Sequence, residues 1–209
     1  MLKTILLQGD SITDAGRDRQ NDQKPCWGYA SLVAAEVACD YPDQYCVMNR
    51  GISGDRIVDL YARIKRDFIN LKPDYLSILI GVNDVWHEFS DNPNGVDNEK
   101  FFRMYCMLIE ELKAALPELK IYIMEPFALR GTGTDAYWDE FDYQVRLRAK
   151  SAKAVAEKYG LAFIPLQDKL ADLCRFYPAD HWLGDGVHPT AAGHEVLKKE
   201  LMAVLKRDL

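Results

Sequence analysis

A serine hydroxyl becomes a nucleophile when a base takes its proton and a third group orients that base, so the four histidines of this chain decide which hydroxyl could react. His188 lies in "GDGVHPT", three residues after Asp185, and a loop ending at Pro189 can bring that carboxylate to the imidazole Nδ1 while Nε2 points outward. His181 follows Asp180 directly, which makes a local carboxylate contact awkward. His194 falls inside the last helical pattern and His87 in a loop, neither with a carboxylate so well placed. The hydroxyl in question is Ser11, where the apolar run of "LLQGDSITD" breaks into a polar turn. Acyl transfer also needs donors for the oxyanion that develops on the ester carbonyl. The backbone N–H groups of Ser11 and Gly54 and the side-chain amide of Asn83 would supply three, and a residue without Cβ at position 54 lets the substrate oxygen approach the backbone.

Each of these residues has a plainer reading. Ser11 is an ordinary helix N-cap, Asp10 and Asp14 are turn or cap residues, Gly51 and Gly54 form turns, Asn83-Asp84 fits a tight turn, and Asp185-Gly186 is a turn signal. Independent accidents would then have to place Ser, Gly, Asn and Asp-x-x-His in order at the ends of the correct elements.

Those elements are legible as alternating short apolar runs and longer segments of helical period. Strands are predicted at 4–8, 45–50, 75–81, 121–126 and 161–166, each short and apolar as buried parallel strands are. Ile57, Tyr61, Ile64 and Phe68 recur at helical spacing, as do Phe101, Tyr105, Leu108, Leu112 and Leu116. A final helix carrying Leu197, Leu201, Val204 and Leu205 is N-capped by Thr190. The expected architecture is a three-layer α/β/α sandwich around a five-stranded parallel sheet of order 2-1-3-4-5, one domain over 1–209. In that order the first three strands end side by side at the switch point, where ligands of such sheets bind. The loops 89–98 and 128–138 are predicted rims of the site.

At 209 residues, with a formal net charge of −6, the chain offers no basic surface for nucleic acid or anionic membrane. The five cysteines are odd in number and contain no C-x-x-C pair, which predicts neither a disulfide framework nor a structural zinc site. The opening "MLKTILLQGD" is too short for a signal h-region, and no window approaches the roughly 18 apolar residues of a membrane span. A cytoplasmic protein without metal or other cofactor is the expectation.

Together "GDSITD", "NRGISGD", "GVND" and "DGVHP" resemble the four motif blocks of the SGNH (GDSL-type) serine hydrolase superfamily, over residues 9 to 189. Ile12 stands where the GDSL name has Leu, and the G-x-S-x-G elbow of α/β-hydrolases is absent. The resemblance implies Ser11 as nucleophile, His188 as base with Asp185 as its partner, and Gly54 and Asn83 as oxyanion donors. "LSILIGVNDVW" and "YPADHWLGDGVHPTAAGH" further resemble the bacterial acetylxylan esterase branch. This implies an esterase releasing short acyl groups from carbohydrate such as acetylated xylo-oligosaccharides, and assembly as a homo-oligomer. Asp10, Trp86 and Trp182 are the expected substrate contacts, and Trp27 offers another flat face for a sugar ring. Two alternatives stand beside this reading. One is a lipid esterase or thioesterase resembling lysophospholipases or platelet-activating-factor acetylhydrolases, which the lack of an evident long apolar lid disfavours. The other is a flavodoxin-like binding module, disfavoured by the two acidic residues of "QGDSITDAGR", which would repel a phosphate.

Overall fold

The computed structural model describes residues 2–24 and 26–209. The chain runs through β1 (Lys3–Gly9), α1 (Ser11–Asp14), α2 (Tyr29–Asp40), β2 (Tyr45–Asn49), α3 (Ile57–Ala62), α4 (Ile64–Asp67), β3 (Tyr75–Leu79) and α5 (Val82–Trp86). It continues through α6 (Asn98–Ala115), β4 (Lys120–Met124), α7 (Trp138–Tyr159), β5 (Ala162–Ile164), α8 (Gln167–Leu173), α9 (Ala179–Trp182) and α10 (Ala191–Leu205). The five strands pair in parallel in the order β2-β1-β3-β4-β5, the predicted topology.

Successive strand side chains point to opposite faces, and this divides the core in two. Ile5, Leu7, Tyr122 and Met124 pack on one side with Tyr29 and Val33 of α2 and Leu197 and Leu201 of α10. Leu6, Leu76, Ile78, Ile121 and Ile123 pack on the other with Ile57 and Leu60 of α3 and Phe101, Tyr105 and Leu108 of α6. Apolar residues on both faces are why these strands read as continuous runs. Ile12 is itself core, 2% exposed, so the Leu-to-Ile difference in the first motif replaces one buried aliphatic chain with another.

The structure departs from the predicted elements at several places: α2 is not among the predicted helices, and β3 and β4 end at Leu79 and Met124, short of the predicted 81 and 126. The segment 57–68 is two short helices, broken at Arg63, whose guanidinium turns inward to Asp55, Gln8 and the Arg50 carbonyl. The fifth strand is shorter than 161–166 because the Glu125 carboxylate takes the Leu166 and Gln167 amides at 2.7 and 2.9 Å, starting α8 there. The long helix α7 is absent from the predicted set. Its buried stripe is built largely of small or polar residues, Arg148, Ala149, Ser151, Ala152 and Ala156, so few large apolar side chains mark it in the sequence.

Strand register brings the chemistry-bearing turns together. Gly9 pairs with Leu79 and Leu7 with Asn49, so the carboxyl ends of β1, β2 and β3 are neighbours. Gly9 is required by proximity there: a Cβ would lie 2.3 Å from the Leu79 carbonyl oxygen and 2.4 Å from Thr13 Oγ1. All five cysteines are free, and among the described residues no helix is long and apolar enough to cross a membrane.

Candidate active site

The turn after β1 presents Ser11 with its hydroxyl uncommitted to capping. The N-cap of α1 is Asp10, whose carboxylate accepts the Ile12 amide at 3.0 Å, so the cap reading belongs to Asp10 and leaves Ser11 Oγ available. Ser11 Oγ lies 2.9 Å from His188 Nε2. On the far side of the ring, His188 Nδ1 lies 2.7 Å from Asp185 Oδ2. The other carboxylate oxygen, Oδ1, accepts the backbone amides of Val187 and His188, both at 2.8 Å, which fixes the loop that carries both residues.

The electrostatics follow from these contacts. Burial alone would raise the Asp185 carboxyl, but the bonds from the His188 ring and from the His188 and Val187 amides outweigh it and hold the group at about 2. The Asp185 bond raises His188 above the usual imidazole range, against the opposing effect of burial. The other histidines are placed elsewhere. His194 is 1% exposed, accepts the Tyr29 amide on Nδ1 at 3.1 Å, and is pushed down by burial to about 4. His181 stacks on Tyr177, with ring centroids 4.8 Å apart. His87 reaches the cleft wall, and burial lowers its pKa.

Ser11, Gly54, Asn83 and His188 together line a cleft of about 430 Å³. Gly54 has φ +86°, a left-handed conformation that disfavours side chains. A Cβ there would meet no protein atom within 4 Å, so the residue opens on the cleft and its backbone geometry explains the glycine. Neither the Ser11 nor the Gly54 amide has an acceptor among the described residues. The Asn83 side-chain amide donates one hydrogen to the Asp55 carbonyl at 3.1 Å, which orients the group and leaves its second hydrogen for another acceptor.

What holds the Gly54 turn in place was not apparent in the sequence. Asp14, the last residue of "GDSITD" and a plain turn residue by its type, accepts the Ser53 amide and the Ser53 hydroxyl, both at 3.0 Å, on Oδ2. Arg63 reaches Asp55 Oδ2 at 2.8 Å, Gln8 Oε1 at 2.9 Å and the Arg50 carbonyl at 3.1 Å, joining the same turn to the end of β1. A signal for Asp14 existed in its spacing, one helical turn after Asp10, but its partner is 39 residues away.

Two of the expected substrate contacts lie elsewhere. Asp10 is 1% exposed, its Oδ1 accepts the Ile12 amide, and it is not among the residues lining the cleft. Trp182 is partly buried against the core, edge-on to His181 and Tyr177, because α9 turns its ring inward. Trp27 packs its edge on His194 and lines a different cavity with Cys26 and Ala30. Trp86 does line the cleft, 5.6 Å from the His188 ring centroid, and Phe89 and Tyr137 continue the wall from the two predicted rim loops. Among the described residues no group of three or more His, Cys, Asp or Glu is arranged to hold a metal ion.

The arrangement can pass a proton from a hydroxyl to an imidazole braced by a carboxylate, beside free amide donors. The comparisons with known proteins agree with that chemistry. Residues 7–196 match the model of the GDSL-like Lipase/Acylhydrolase family. An acetylxylan esterase from Geobacillus stearothermophilus is 33% identical over 207 residues, covering 95% of this chain and 91% of that protein. The crystal structure of an acetylxylan esterase, Axe2, from the same organism superposes with a TM-score of 0.86 at 30% identity, covering 96% of this chain and 93% of that one. Catalytic mutants of it have been solved in which a serine, an aspartate or a histidine is replaced by alanine. A Parabacteroides merdae protein described as a GDSL-like lipase superposes with a TM-score of 0.88 at 34% identity, covering 97% and 96% of the two chains. The chain therefore belongs to the GDSL-like lipase/acylhydrolase (SGNH) family and is a carboxylic ester hydrolase.

Proposed function

We propose that the enzyme removes short acyl groups, acetyl foremost, from carbohydrate esters such as acetylated xylo-oligosaccharides, through an acyl-enzyme on Ser11. The observation that carries the chemistry is the continuous chain Ser11 Oγ, His188 Nε2, His188 Nδ1 and Asp185 Oδ2 at 2.9 and 2.7 Å, opening on a cleft. Ser11 Oγ attacks the ester carbonyl while His188 takes its proton, and Asp185 holds the Nδ1–H tautomer and stabilises the imidazolium. The Ser11 and Gly54 amides and the Asn83 side chain receive the oxyanion. The imidazolium then protonates the departing sugar oxygen, and water repeats the cycle against the acyl-enzyme.

The carbohydrate reading is supported by the aromatic wall of Trp86, Phe89 and Tyr137, whose flat faces suit a sugar ring, and by similarity to relatives described as acetylxylan and acetyl-xylooligosaccharide esterases. The test is acetate release from acetylated xylo-oligosaccharides, compared with acetylated pectin fragments and with short- and long-chain p-nitrophenyl esters. Turnover is expected to be highest on the xylo-oligosaccharides; preference for long acyl chains overturns the substrate class in favour of a lipid esterase. Ser11→Ala is expected to abolish turnover and fluorophosphonate labelling. Labelling that persists at another serine overturns the nucleophile.

A further inference from the structure

The loop 128–138 does more than border the cleft, because it grips the turn that carries Asp185. The Leu129 amide donates to the Gly186 carbonyl and the Gly133 amide to the Asp185 carbonyl, both at 2.8 Å. The contact is close on both sides: a Cβ at Gly131 would lie 2.6 Å from the Asp185 carbonyl carbon, and one at Gly186 would lie 2.5 Å from the Leu129 oxygen. Thr134, fully buried, ties the loop to itself by accepting the Gly131 amide at 3.0 Å and donating to the Leu129 carbonyl at 3.1 Å.

One side chain links this grip to the cleft wall. The Trp86 indole N–H donates to the Tyr137 hydroxyl at 2.7 Å, and that hydroxyl donates to the Gly133 carbonyl at 2.9 Å. Gly133 is the residue whose amide holds Asp185, and a Cβ on it would come within 3.1 Å of Trp86 Cζ2. Trp86, Tyr137, Gly133 and Asp185 thus form a connected path from a surface the substrate meets to the backbone of the carboxylate that orients His188.

We propose that the Tyr137 hydroxyl is a positioning group: it registers the loop against Trp86, so that the Asp185 carboxylate stays aligned on His188 Nδ1 when the cleft is filled. The proposal rests on the reading of Asp185 as the partner of the base. Tyr137 acts through Gly133 and Asp185 and need not touch the reacting atoms. Its ring also stacks on Phe89, with centroids 4.2 Å apart and planes 15° from parallel, so Tyr137→Phe removes both hydrogen bonds and keeps the packing.

The experiment compares kcat, KM and the pH profile of kcat/KM on p-nitrophenyl acetate for the parent, Tyr137→Phe, Trp86→Phe and the double variant. Two lost hydrogen bonds predict a fall in kcat of about tenfold for Tyr137→Phe with KM little changed. The acid limb should move to lower pH, because an imidazole less well held by its carboxylate is less basic. Trp86→Phe cuts the same path and should move the limb in the same direction. The double variant should move it no further than Tyr137→Phe alone, since coupled sites are not additive. An unmoved limb, a loss confined to KM, or additive shifts in the double variant would each overturn the proposal. If Tyr137→Phe fails to unfold cooperatively, the limb of Trp86→Phe decides the matter alone. Failure of the underlying reading is distinguishable, because Asp185→Asn would then leave the limb unmoved as well.

Discussion

Replacing Asp185 with Asn tests the logic of the site more sharply than deleting it. Asp185 Oδ1 already accepts two backbone amides at 2.8 Å. An asparagine therefore keeps its carbonyl oxygen on those donors and turns its NH₂ group toward His188 Nδ1. A donor facing Nδ1 selects the tautomer that carries its hydrogen on Nε2, and that hydrogen points at Ser11 Oγ, 2.9 Å away. The base then has no lone pair for the serine proton, and the imidazolium loses its counter-charge. The same substitution in another serine triad lowers kcat by about 10⁴, which at about 1.4 kcal/mol per tenfold is about 5.5 kcal/mol of lost transition-state stabilisation. The assay is kcat on p-nitrophenyl acetate, alongside the rate of fluorophosphonate labelling and the Tm. Both rates should fall together while the Tm stays near the parent value, because the backbone bonds survive. The acid limb of kcat/KM should move to lower pH, because the Asp185 bond that raises His188 in the parent is lost and only neutral imidazole accepts the proton. Asp185→Ala leaves either tautomer open but frees two amides, so it should lose less rate and more stability. A kcat for Asp185→Asn within about tenfold of the parent would refute the tautomer argument.

Asn83→Ala should lower kcat by about 10²- to 10³-fold, as loss of an oxyanion donor does elsewhere; steady-state kinetics showing a change in KM alone would reduce Asn83 to a ground-state contact. Arg63→Met leaves the Asp55 carboxylate, only 12% exposed, without its cation, and should cost about 3–5 kcal/mol in urea unfolding, as breaking a buried ion pair does. A cost under about 1 kcal/mol would mean that Arg63 is not the brace of the Gly54 turn. Burial lifts the Asp84 carboxyl from 3.8 to about 8, against the Ile57 amide bond. Folding therefore favours its neutral form, and the group's contribution to stability is greatest in acid and declines as pH rises from the unfolded value through the folded one. Asp84→Asn, which can keep the Ile57 bond without a charge, should raise the Tm relative to the parent at about pH 9 and show a smaller advantage at about pH 4. Melting curves with a pH-independent difference would contradict this.

The local sequence determined a good deal. Runs such as Ile5–Leu7 and Ile121–Met124 are apolar on both faces, so they can be satisfied only inside a sheet covered on both sides, and the helical stripes between them enforce parallel crossovers. That order sets Ser11, Gly54 and Asn83 at neighbouring strand ends, and an Asp-x-x-His spacing lets one loop carry both members of a hydrogen-bonded pair. Tertiary structure decided what depends on partners far apart along the chain. Asp10 and Asp14 are alike by type and spacing, yet one is buried as a cap and the other holds Ser53 across 39 residues. Trp27, Trp86 and Trp182 are equivalent as residue types. Only Trp86 reaches the cleft, because α5 leads it toward Tyr137 while α9 turns Trp182 into the core. A side chain's chemistry is local, but the group it meets is chosen by the packing of the whole sheet and its helices.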